Sequence, residues 1–165
     1  MMNKNTKCRS AIGIDFHPLV TNKKLILGGV EIPNKKGLDG HSDGDALTHA
    51  IIDSILGIAA LGDIGTFFPD SDSNYHLKYS IDLLSEVINM VTNKGWRLTF
   101  LDATIIAESP KMADHLTNIK KILSTTLKLQ INDISIKATS TNGLGFIGKE
   151  NGIGAIAIAT AEMHI

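Results

Sequence analysis

The feature that most constrains this chain is the repeated change in the period of its apolar residues. AIAIATAEM (155–163) alternates with period two, as a strand does when one of its faces is buried. Between residues 75 and 93, by contrast, Leu77, Ile81, Leu84, Val87, Ile88 and Val91 recur at helical spacing, and Gly95 follows as a stop. The sequence ALTHAIIDSILGIAALG predicts a second helix, starting at Ser42 or Asp43 and ending near Gly62. Ser42 and Asp45 have the S-x-x-D spacing of a capping arrangement there. A third helix is expected from Pro110 to about Leu127, with Leu116, Ile119, Ile122 and Leu123 on its stripe. Strands are expected over 9–19, 97–107 and 134–138, and KLILGGVEIP (24–33) reads as a hairpin arm broken at Gly28-Gly29. The glycine-rich stretches 34–45 and 142–154 read as loops. Strand, hairpin, helix, helix, strand, helix, strand, strand describes an α/β or α+β sandwich, a mixed sheet with a layer of helices on it.

A chain of 165 residues fits one domain. We expect that domain over 9–165, behind a frayed tail at 1–8 that is too short and too polar for a secretory signal. No apolar run approaches the ~20 residues needed to span a bilayer, although 43% of the residues are hydrophobic. Sixteen Lys and Arg against 17 Asp and Glu leave a net charge of −1, which argues against a nucleic-acid-binding face. Cys8 is the single cysteine, so no internal disulfide forms and a reducing, cytoplasmic setting is expected.

The chemistry begins in IGIDFHPL (12–19). Asp15 and His17 are two apart, so on a strand they point to the same side. His49 lies in the predicted helix, with Asp45 and Asp53 at i−4 and i+4 on its face. A carboxylate one turn away suits the second ring N–H of a ligating histidine. Two histidines and one carboxylate with a free position form a catalytic zinc set, and the same set suits iron. HSDGD (41–45) stands at a helix start, where backbone N–H groups favour anions. DIG (63–65) and FPDSD (68–72) place carboxylates beside glycine and proline, suited to divalent cations or ribose hydroxyls. In TSTNGLGFIGK (139–149), Gly143, Gly145 and Gly148 satisfy G-x-G-x-x-G. The following segment alternates like a strand, whereas a dinucleotide site requires a helix there. Phosphate contact by the hydroxyls and glycine N–H groups remains the expectation. AESPKM (107–112), read as a strand-to-helix junction with Lys111, suits a phosphate or a nucleobase. His76, His115 and His164 read as surface residues.

GIDFH, HSDGDALTHAIID, ALGDIGTFFPD, ATIIAESPKM and KATSTNGLGF, in that order, resemble the 2-C-methyl-D-erythritol 2,4-cyclodiphosphate synthase family of the non-mevalonate isoprenoid pathway. The resemblance runs from about Arg9 to Met163. It implies a ferredoxin-like subunit in a homotrimer, with active sites between neighbouring subunits. It also implies cyclisation of 4-diphosphocytidyl-2-C-methyl-D-erythritol 2-phosphate with release of CMP, a phosphorus–oxygen lyase reaction. By motif position, Asp15, His17 and His49 would bind Zn²⁺. His41 and Ser42 would contact the substrate, and His41 and Ser140 would take the catalytic roles. Asp63, Ile64, Gly65, Phe68, Pro69, Asp70, Ser71 and Asp72 would hold the methylerythritol end. Ala107, Pro110, Lys111, Met112 and Ala113 would form the cytidine pocket of the adjacent subunit. Thr139, Ser140, Thr141, Asn142, Phe146 and Lys149 would line the diphosphate, with Mg²⁺ or Mn²⁺ as a second ion. Many members have Glu where Asn142 stands and Arg where Lys149 stands; Asn offers only a neutral carbonyl oxygen, and Lys loses the bidentate contact.

Overall fold

The computed structural model describes residues 5–40, 42–69 and 78–165. Strand β1 (Thr6–Thr21) is long because it pairs antiparallel with β7 (Gly152–His164) from Thr6↔His164 to Pro18↔Gly152. Thr6, Lys7 and Cys8 thus belong to this ladder and not to a frayed tail; residues 1–4 lie outside the described residues. Strand β5 (Arg97–Ile106) pairs antiparallel with β7 and parallel with β6 (Ile134–Thr139). A short β4 (Lys36–Leu38) pairs with the end of β1, giving the order β4-β1-β7-β5-β6 in a mixed sheet. The stretch 34–45 was expected to be loop throughout; β4 is only three residues long and carries no period.

The Gly28-Gly29 hairpin forms as expected. It joins β2 (Leu25–Leu27) to β3 (Val30–Ile32) in a two-stranded sheet of their own. Both glycines have positive φ, +59° and +73°, as a two-residue turn matched to strand twist requires.

Helix α1 (Ala46–Ile58) is the central packing element. Leu47, Ile51, Ile52, Ile55, Leu56 and Ile58 are all fully buried, each worth roughly 1.5–3 kcal/mol of transfer free energy. It starts later than the capping pattern predicted, because Asp45 itself is the N-cap: its carboxylate accepts from Thr48 N at 2.9 Å. Gly44 (φ +68°) and Ser42 (φ +59°) hold the preceding turn in the left-handed region, which rules out earlier helix.

α1 lies on a floor of small side chains. Ala155, Ala157, Ala159 and Ala161 of β7 are fully buried, and Gly13 of β1 pairs with Ala157. A Cβ at Gly13 would stand 2.0 Å from the Ala50 carbonyl oxygen and 2.6 Å from Ser54 N. Helix and strand therefore touch backbone to backbone at this point.

A short helix α2 (Ile64–Phe67), capped by Asp63, begins within the DIG motif. Helix α3 (Ser80–Asn93) buries Leu83, Leu84, Val87, Ile88 and Val91, much of the predicted stripe. Its predicted first residues 75–77 lie outside the described residues, and Lys78 and Tyr79 are not helical. Helix α4 (Leu116–Leu127) buries Ile119, Leu123 and Leu127. It does not begin at Pro110: Met112 turns into the core, and its carbonyl accepts from His115 N and Leu116 N, so the helix starts only there. A helical turn α5 (Gly145–Gly148) interrupts the loop expected over 142–154. No helix among the described residues is long and apolar enough to cross a membrane.

Period two divides the sheet into unlike faces. Gly13, Leu101, Ala103, Ile105 and the β7 alanines are buried under the helices. The opposite face leaves Ile12, Ile14, Phe16, Phe100 and Ile158 exposed, from 40% to 58%.

Candidate metal centre and substrate site

Asp15 and His17 project from β1 on the helix-covered side, and His49 projects from α1 at the contact beside Gly13. Their ligand atoms converge as the sequence predicted. Asp15 Oδ2 lies 2.7 Å from His17 Nε2 and 3.2 Å from His49 Nδ1, and the two ring nitrogens are 3.1 Å apart. A tetrahedral zinc site with bonds near ~2.0–2.1 Å separates its ligand atoms by about 3.3 Å. The triangle is already close to that size. Its fourth corner is free for an exogenous oxygen, since no other acidic, histidine or cysteine ligand joins the group among the described residues.

Hydrogen bonds around the triad orient its lone pairs. His17 Nδ1 is 2.8 Å from the Asp39 carbonyl oxygen, which can only accept, so Nδ1 carries the proton and Nε2 presents its lone pair. Gly40 makes this possible: a Cβ there would stand 2.4 Å from the His17 ring. His49 Nε2 is 2.8 Å from Ser80 Oγ, which leaves Nδ1 facing the triad. Two ring lone pairs and a carboxylate oxygen thus face one another, and a cation satisfies such a set. Burial pushes the Asp15 carboxyl up, but hydrogen bonds and charge from ring protons of His17 and His49 outweigh it and hold it well below the usual range; a bound cation would take the place of those protons and meet the bare nitrogens. Asp15 is therefore an anion, as a metal ligand must be.

The flanking carboxylates act differently from the expectation. Asp45 is fully buried, yet its oxygens accept from Gly28 N at 2.9 Å, Gly29 N at 2.8 Å, Thr48 N at 2.9 Å and Thr48 Oγ1 at 2.7 Å. It ties the hairpin to the start of α1. Asp53 accepts from Ile64 N at 2.8 Å and so anchors the DIG turn to α1. Neither oxygen pair is spent on the His49 ring; Ser80 takes that place. Sequence reasoning missed Ser80 because it lay inside a helix assumed to start at Tyr75. The N-cap of α3 is Tyr79, which makes no side-chain cap, so only Asp82 in the first turn marked the later start in the sequence.

The other expected contacts fall into separate groups. Ser42 Oγ lies 3.0 Å from Ser80 Oγ and 3.4 Å from His49 Nε2, beside the triad. Ser42 and Asp43 also line an open cavity of about 240 Å³ with Lys23, Lys24, Ile26 and Leu38. Asp63 accepts from Thr66 N and Thr66 Oγ1 as the cap of α2, with Ile64 and Gly65 in that turn. Phe68 is buried, while Pro69 is exposed. His41, Asp70, Ser71 and Asp72 lie outside the described residues, as does His76. Ser140, Thr141, Asn142 and Phe146 line an open depression of about 490 Å³ with Leu144, Gly145 and Ile147. Thr139 ends β6 opposite Ile106, so the 107–113 turn and this depression leave the same end of the sheet. Ala107 and Met112 are buried in the core; Pro110 is half-buried, and Lys111 and Ala113 are exposed. Lys149 closes α5 at the surface. Sequence reading also passed over Glu108, whose Oε2 accepts from Gly143 N at 3.3 Å and Thr141 Oγ1 at 3.4 Å and so braces the loop around Asn142.

Residues 8–162 match the family model described as the YgbB family. The chain belongs to the YgbB family. Two proteins similar to this chain are named 2-C-methyl-D-erythritol 2,4-cyclodiphosphate synthase. One, from Alkaliphilus oremlandii, is 51% identical over 152 residues, covering 92% of this chain and 97% of that protein. The other, from Clostridium beijerinckii, is 53% identical over 157 residues, covering 95% and 99%. The YgbB fold described above also matches a solved 2C-methyl-D-erythritol-2,4-cyclodiphosphate synthase in a CDP-bound form, with a TM-score of 0.86 and 31% identity over 93% of this chain and 99% of that one. The bifunctional IspDF of Campylobacter jejuni matches with a TM-score of 0.93 at 36% identity over 96% of this chain, which spans 43% of that longer protein.

Proposed function

We propose that this YgbB-family chain converts 4-diphosphocytidyl-2-C-methyl-D-erythritol 2-phosphate to 2-C-methyl-D-erythritol 2,4-cyclodiphosphate and CMP in the isoprenoid pathway. The reading rests on the converged Asp15, His17 and His49 acceptors, set in a chain whose relatives carry that name. In the reaction the 2-phosphate attacks the β-phosphorus and CMP leaves. Attacker and leaving group share one molecule, so positioning replaces a bimolecular encounter. Asp15, His17 and His49 would hold Zn²⁺, which when bound polarises a phosphate oxygen as a Lewis acid. A second divalent ion, Mg²⁺ or Mn²⁺, would supply further charge screening.

The chain's own residues then bind and orient. His41 and Ser42 contact the phosphates and erythritol, and the motifs Asp63–Gly65 and 68–72 hold the methylerythritol end. Thr139, Ser140 and Thr141 donate hydroxyl hydrogen bonds to the diphosphate; Ser140 and His41 carry the catalytic contacts. Ala107 to Ala113, with Lys111, take the cytidine from the adjoining subunit, in keeping with the CDP found in solved relatives. No protein nucleophile is required, since the substrate's own 2-phosphate attacks, and Cys8 is exposed far along β1 from Asp15. We place the enzyme in the cytoplasm, where a lone free cysteine is at ease.

The deciding experiment is incubation of the purified protein with the cytidylyl substrate and Mg²⁺, followed by analysis of the products. CMP with the cyclic diphosphate supports the assignment. CMP with a linear product makes the chain a zinc-dependent phosphoesterase, and binding without any turnover makes it a carrier.

Two further expectations belong to this reading. Asn142 has positive φ (+52°), and its Oδ1 accepts from Ser140 Oγ at 3.3 Å. A second cation would meet a neutral amide there. Asn142→Glu is therefore expected to lower the Mg²⁺ concentration for half-maximal rate by about tenfold, as an added charge-assisted contact does; an unchanged half-saturation removes the idea. The homotrimer is supported by the exposed apolar sheet face, where Ile12, Ile14 and Phe16 of β1 adjoin Ile158 of β7. Such a continuous patch is rare on a monomer. Ile14→Asp is expected to shift sedimentation from trimer to monomer and to abolish activity at a shared site; a trimer that persists contradicts the assignment.

A further inference from the structure

We propose that Asp43 and Ser80 form a positioning relay that fixes which nitrogen of His49 carries its proton, and so presents Nδ1 to the metal. The proposal rests on reading Asp15, His17 and His49 as a metal centre. Ser80 is the first residue of α3 and is fully buried. Its Oγ lies 2.8 Å from His49 Nε2 and also hydrogen-bonds Asp43 Oδ1. A carboxylate only accepts, and a serine hydroxyl has one proton. That proton goes to Asp43, so Ser80 Oγ can only accept from His49. Nε2 must then be the protonated nitrogen, and Nδ1 is left bare. Nδ1 is the atom 3.2 Å from Asp15 Oδ2 and 3.1 Å from His17 Nε2.

The direction of the relay is itself fixed. Asp43 also accepts from Ser80 N and Asp45 N, each at 3.3 Å, which ties its carboxylate to the starts of both α3 and α1. Ser42 Oγ is the competing partner, but it stands 3.4 Å from Nε2 against 2.8 Å for Ser80. Without Ser80 the His49 ring loses its closest acceptor, and the tautomer with Nδ1 protonated becomes accessible. That tautomer cannot ligate through Nδ1. Outer-shell partners of ligating histidines commonly change metal affinity 10–100-fold when removed, and the β1 histidine has its own counterpart in the Asp39 carbonyl.

The test uses the full-length protein stripped of metal, with Zn²⁺ affinity measured by competition with a chromophoric chelator and the Co²⁺ form followed by visible absorption. Ser80→Ala is expected to weaken Zn²⁺ binding roughly 10–100-fold and to alter the Co²⁺ bands, with Ser80→Thr restoring both. Asp43→Asn, a milder change that keeps the acceptor carbonyl, is expected to weaken binding several-fold and carries the test if Ser80→Ala does not fold. Folding is checked by thermal melting of each metal-free variant. Folded variants within twofold of wild-type affinity overturn the proposal. A fall in Ser80→Ala with none in Asp43→Asn overturns the part assigned to Asp43. Failure of the wild-type protein to bind Zn²⁺ at all overturns the metal centre itself, a result distinct from either.

Discussion

Replacing His49 with alanine is expected to reduce turnover at least about a hundredfold, the scale on which one preorganised electrostatic contact acts in a desolvated site. His49 is the single triad member supplied by the helix layer; Asp15 and His17 share one strand. Without it, two donors remain on β1, and Ser80 loses the ring that its Oγ now meets at 2.8 Å. Release of CMP measures the loss, and the affinity for CDP measured by calorimetry shows whether the nucleotide pocket survives. An enzyme loses turnover and retains nucleotide binding. A variant that cyclises substrate at the wild-type rate would remove the metal from the reaction.

The second large effect is on stability. Asp45→Ala removes an N-cap, worth about 1 kcal/mol, and strands the Gly28 and Gly29 amides, which find no other partner among the described residues. A buried donor left unmet costs about 1–3 kcal/mol, with buried Gly28 towards the upper end and half-buried Gly29 towards the lower. The sum is on the order of 3–7 kcal/mol, a large part of the ~5–15 kcal/mol that holds a domain of this size. Denaturant titration is the measurement, and a change under 1 kcal/mol would contradict the account. Asp45→Asn is expected to recover only part of the loss, because its NH₂ group would face a donor in place of an acceptor.

The convergence of Asp15, His17 and His49 was legible because two simple periods specify it. Asp15 and His17 sit two apart on an unmistakable strand, and His49 falls within the strongest helical run. Nothing in those periods says which group supports His49, and the carboxylates at i±4 were the natural guess. Asp45 and Asp53 are instead drawn off by backbone N–H groups of a hairpin and a turn distant in sequence. Such long-range demands leave no local trace. The same holds for β4, whose three residues are ordered by the end of β1, and for α4, whose start is displaced from Pro110 by the burial of Met112. The expected helical junction at 107–112 thus became a turn; of the residues expected around the diphosphate, Ser140, Thr141, Asn142 and Phe146 line one depression, and Thr139 and Lys149 are not in its lining.

Gly13 has a mechanical consequence for the triad. Side chains that separate two layers can change rotamer and let the gap breathe; main-chain atoms pressed together have no such slack. The distance from β1 to His49 is thus a property of the scaffold, set by an absent methyl group one turn of pleat before Asp15. The cage should keep its dimensions in the metal-free protein until the helix lifts off altogether, so that loosening of the site and loss of the fold occur as one event.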